Sequence, residues 1–81
     1  MNLSDIAQMA VTNVKTEGKA IVEATVTGVY ATDVLQAEGR AEYFLADVAK
    51  ANGEVVSADR WELVQKGDGM AKTWSVRFFC S

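Results

Sequence analysis

TDVLQAEGRAEYFLADVAKANG, Thr32 to Gly53, reads as one long amphipathic helix with a start and a stop. Thr32 and Asp33 are both good N-caps, and Gln36 lies three residues after Asp33, which makes a capping box. Asn52-Gly53 supplies the left-handed exit that ends a helix. Val34, Ala37, Ala41, Phe44, Leu45, Val48 and Ala51 recur at three- and four-residue steps, so they predict one buried face. Gln36, Arg40, Tyr43, Asp47 and Lys50 fall opposite. The small Ala37 and Ala41 suit a helix lying close on a sheet.

The flanking segments predict that sheet. Ala20, Val22, Ala24, Val26, Gly28 and Tyr30 alternate with Lys19, Ile21, Glu23, Thr25, Thr27 and Val29, so Lys19 to Tyr30 is a strand. The even set is apolar or glycine and is expected to face the helix, with Gly28 marking a bulge or a close approach. From Glu54 to Gln65 the phase changes at Asp59-Arg60, which means a bulge or a break between two strand pieces. Lys66-Gly67-Asp68-Gly69 predicts a tight turn. It sets Trp74 opposite either Trp61 or Leu63. In the last strand, Met70 to Cys80, Trp74, Val76, Phe78 and Cys80 share the inner face. Asn2 to Val14 reads as a short first helix, with Leu3, Ile6, Ala7, Ala10, Val11 and Val14 on its apolar side.

The expectation is a single α+β domain over residues 1–81, in the order α-β-α-β-β. Its sheet is three-stranded and antiparallel, with spatial order 2-3-1. The long helix packs on one face, and a short N-terminal helix precedes the first strand. This strand–helix–strand–strand order resembles the dodecin-type flavin binders, from which the first helix departs. The resemblance implies a small homo-oligomeric ligand-binding protein.

Composition narrows the function classes. A net charge of −3 argues against phosphate-backbone binding, so no nucleic-acid partner is expected. No stretch approaches a membrane span, and the start lacks a signal-peptide pattern, so the expected location is cytoplasmic. With no histidine and one cysteine, neither a zinc site nor the commonest general base is available. P-loop, GxGxxG and GxSxG motifs are absent. No metal, no cofactor and no enzymatic activity are expected.

Glu38 and Glu42, four apart beside Arg40, read as a solvated helix face rather than an acid–base pair. Cys80 reads as a small core residue, and Trp61 and Trp74 as core anchors rather than a stacking platform. The outer sheet face carries Ile21, Val29 and Phe79 among Thr25, Arg77 and other polar residues. With Glu38 and Glu42, these five predict where a protein partner docks. The first strand, free of proline, is expected to be an open edge available for a homodimer. The functional expectation is a non-enzymatic protein-binding domain. By analogy of type, it is similar to phage-encoded inhibitors of host enzymes or defence systems.

Overall fold

A computed structural model describes residues 9–67 and 73–81 of the chain. Five strands and one helix follow in the order β1 (Ala10–Glu17), β2 (Ala20–Val29), α1 (Val34–Ala51), β3 (Val55–Val56), β4 (Arg60–Gln65) and β5 (Trp74–Phe79). They form one five-stranded sheet with main path β1-β2-β5-β4. Pairing along that path is antiparallel, and β3 adds to β2 in parallel.

The relative order of β2, β5 and β4 matches the expected 2-3-1, but the three-stranded sheet is corrected to five strands. The predicted first helix is also corrected. Its residues from Ala10 onward are strand β1, and Asn2 to Gln8 lie outside the described residues. The physical reason is local. Val11, Thr12, Val14 and Thr16 are β-branched and suit a pleated strand. Gly18, with φ +63, opens a two-residue loop that returns the chain directly onto β2, pairing Glu17 with Ala20. A local irregularity lies between Thr12 and Thr16, at Asn13 with φ +53, and the register is the same on either side of it.

Helix α1 forms as its ends foretell. Asp33 Oδ1 accepts the Gln36 N–H at 2.8 Å, and Gln36 Oε1 accepts the Thr32 N–H at 2.7 Å. At the other end the Glu54 N–H reaches Ala49 O at 2.8 Å and the Gly53 N–H reaches Lys50 O at 3.2 Å, with Gly53 at φ +70. That pair of bonds is a Schellman motif. The buried row is Ala37, Ala41, Leu45 and Ala49. Val34 and Ala51, expected inside, are exposed, and Ala49 is buried instead.

The core lies between this row and Ile21, Ala24, Val26, Val29, Trp74, Val76 and Phe78. The strict even-phase reading of β2 is corrected, since Ile21 and Val29 point into the core at 2% and 0% exposure. The strand changes phase twice. One change accompanies the irregular pairing between Ile21 and Glu23, the other a bulge between Val26 and Val29 where Gly28 adopts φ +72.

Segment 54–65 is broken rather than bulged. Val55 and Val56 pair with Ala20 and Ile21 of β2, and β4 starts at Arg60 against Phe79 of β5. The Asp59 carboxylate accepts both the Ser81 N–H and the Ser81 hydroxyl at 2.9 Å, which holds it below the usual carboxylate range.

The tight Lys66–Gly69 turn is corrected as well. Trp61 faces Phe78 and Leu63 faces Val76, so the β4–β5 connection is longer than either tight register allows. Asp68 and Gly69 lie outside the described residues. Trp74 is buried and donates its indole N–H to Ala31 O at 2.9 Å.

Candidate docking surfaces

Alternation in β5 sends Trp74, Val76 and Phe78 toward α1 and Arg77 and Phe79 to the helix-free face. Arg77 is the hub of that face. Its Nη2 contacts Glu23 Oε1 of β2 at 3.1 Å, and its Nη1 contacts Glu62 Oε1 of β4 at 2.8 Å. The guanidinium lies over the Phe79 ring, 4.5 Å from its centroid. One cation therefore ties three strands together across the sheet. Hydrogen bonds to Glu23 and then Glu62 raise its pKa further above its usual value. With two carboxylates on one guanidinium, Arg77 is already engaged and offers little to an incoming anion.

A cleft of about 310 Å³ opens beside this hub, lined by Lys15, Glu17, Glu23, Arg77, Phe79 and Cys80 among others. Its charges are of both signs. Cys80 is exposed, past the end of β5, with its thiol 3.4 Å from Ser57 O. The expectation of a core cysteine is thereby corrected.

The residues singled out for docking are thus dispersed. Ile21 and Val29 are core residues beneath α1, so the expected Ile21/Val29/Phe79 patch does not form. Thr25 is buried and sits opposite Arg77 in the ladder. Arg77 and Phe79 stay together on the helix-free face, half-buried. Glu38 and Glu42 lie on α1, on the far side of the sheet. Partial burial raises the Glu38 pKa, and side-chain hydrogen bonding with Glu42 and its negative charge raise it further. Nor is the strand 20–29 an edge. β1 covers one side, and β3 and β5 cover the other.

The outer face of α1 holds residues that the docking prediction passed over. Leu35 and Tyr43 are 76% and 75% exposed, the most exposed large hydrophobic side chains among the described residues. They lie four residues either side of Gly39, so the three share one ridge of the helix. A Cβ added at Gly39 would meet nothing within 4 Å. The ridge has an apolar side chain at each end and a notch in the middle. The signal was readable in the sequence as a glycine inside a helix at a position with no capping role.

No known protein family, curated protein or solved structure matches this chain. Among the described residues no helix is long and apolar enough to cross a membrane. No group of three or more His, Cys, Asp or Glu among them is placed to hold a metal ion. No buried side-chain nitrogen or oxygen there lacks a hydrogen-bond partner.

Proposed function

We propose that this chain is a non-enzymatic protein-docking domain that receives a helix of a partner protein on the outer face of α1. The observation that carries the reading is Gly39. A glycine inside a helix costs about 1 kcal/mol relative to alanine. Here the surrounding space is open, so packing among the described residues does not require it. A ridge with Leu35 and Tyr43 at its ends and a gap between them accepts a protruding side chain of a second helix and lets the two backbones come close. Glu38 and Glu42 border the ridge, so the partner helix presents an apolar residue flanked by Lys or Arg.

The test is capture from the native host with the wild-type chain, Leu35→Asp, Gly39→Ala and Val64→Asp as bait. Val64 is exposed on β4, away from this face. A specific partner is expected with wild type and Val64→Asp, and lost with Leu35→Asp. Gly39→Ala is expected to weaken capture while stabilising the fold by about 0.5–1 kcal/mol. Equal capture by Leu35→Asp and wild type would refute the assignment.

A further inference from the structure

Among the described residues, the free edge of the sheet next to β2 belongs to β1, which pairs there only with β2. Thr12 to Glu17 are all exposed. The two-residue loop Gly18-Lys19 makes Glu17 and Ala20 the closing pair of the hairpin, which exchanges backbone bonds. By alternation, the N–H and C=O of Thr16 point away from β2 and are open to another strand.

The side chains on either side of Thr16 are opposite in charge. Lys15 and Glu17 line the same cleft, so they project on one face of the sheet. The only ion pairs among the described residues are those of Arg77, so neither Lys15 nor Glu17 is ion-paired to any of them. This edge is complementary to itself. A two-fold axis through Thr16 sets Lys15 opposite the partner's Glu17 and Glu17 opposite the partner's Lys15. It also lets the two Thr16 residues exchange backbone bonds.

We propose that β1 pairs antiparallel with β1 of a second copy of this chain, centred on Thr16. The match holds in that register alone, since a shift of two residues sets Lys15 opposite Lys15 or Glu17 opposite Glu17. The irregularity between Thr12 and Thr16 ends the regular edge on one side and the Gly18 turn ends it on the other. The paired segment is therefore short, and the association is weak and concentration-dependent. It leaves the outer face of α1 uncovered.

Sedimentation equilibrium from about 10 µM to about 1 mM tests this. The wild-type mass is expected to rise from 8.8 kDa toward twice that value. Lys15→Glu is expected to weaken the dimer roughly tenfold, and adding Glu17→Lys to restore it to within about threefold. The Thr16 amide is expected to gain protection from hydrogen exchange as concentration rises. A monomer at every concentration, or a dimer indifferent to Lys15→Glu, would overturn the proposal. So would a dimer lost with Leu35→Asp rather than with Lys15→Glu.

Discussion

Gly67 shows how one absent side chain positions a buried one. A Cβ there would overlap the Trp74 indole at Nε1 and Cδ1. That indole is buried and anchors the end of β5 through its bond to Ala31 O, just before the α1 cap. Gly67→Ala must displace either the ring or the chain. The expected loss is about 1–3 kcal/mol of stability by urea unfolding, with a change in tryptophan fluorescence. An unchanged midpoint would mean that the chain at Gly67 yields freely. The close approach was not legible in the KGDG stretch, which signals a turn but not what packs against it. The opposite holds for Gly28, whose place in an alternating strand already suggested a bulge, and whose φ of +72 supplies one.

At the scale of one element, α1 was almost fully legible, because its caps and its apolar period are local. The buried row Ala37–Ala41–Leu45–Ala49 advances four residues at a time, about 40° of turn per step at 3.6 residues per turn, so the line of contact runs obliquely across the helix rather than straight along its apolar stripe. The Glu38–Glu42 pair gives this helix a pH dependence. Glu38 has a raised pKa when folded, so the native state holds that proton more tightly than the unfolded chain does. Its stabilising contribution is present below the unfolded pKa and is lost as pH rises through the folded value. Glu42→Gln removes the neighbouring charge. It is expected to lower the Glu38 pKa in an NMR titration and to stabilise the fold at neutral pH by about 0.2–0.5 kcal/mol. A Glu38 titration that does not move would show that burial alone sets it. Strand β1 carries a helical signal in its sequence because Val11 and Val14, three residues apart, imitate a helical period.

At the scale of the molecule, one helix covers the centre of a wider sheet. β2 and β5 lie beneath it with a strand on each side, while β1 and β4 form the two ends. In dilute protein, amide exchange is expected to be slowest in β2 and β5 and at least about tenfold faster in β1. Amides of β1 as slow as those of β2 would contradict this layering. The dispersal of the expected docking patch has the same origin. Two phase changes in β2 carry Ile21 and Val29 to the helix side, and neither change alters the composition of the strand.

The amino-acid order alone determined the helix, its two ends, the inward set Trp74, Val76 and Phe78, and the central position of the last strand. These rest on interactions within a few residues or on a simple count of apolar content. Only the tertiary structure decided that residues 10–17 are strand, which side of β2 each residue faces, and where β4 meets β5. Those features depend on pairing between distant segments. A one-residue slip or a bulge there exchanges inside for outside, and neighbours in sequence carry no record of it.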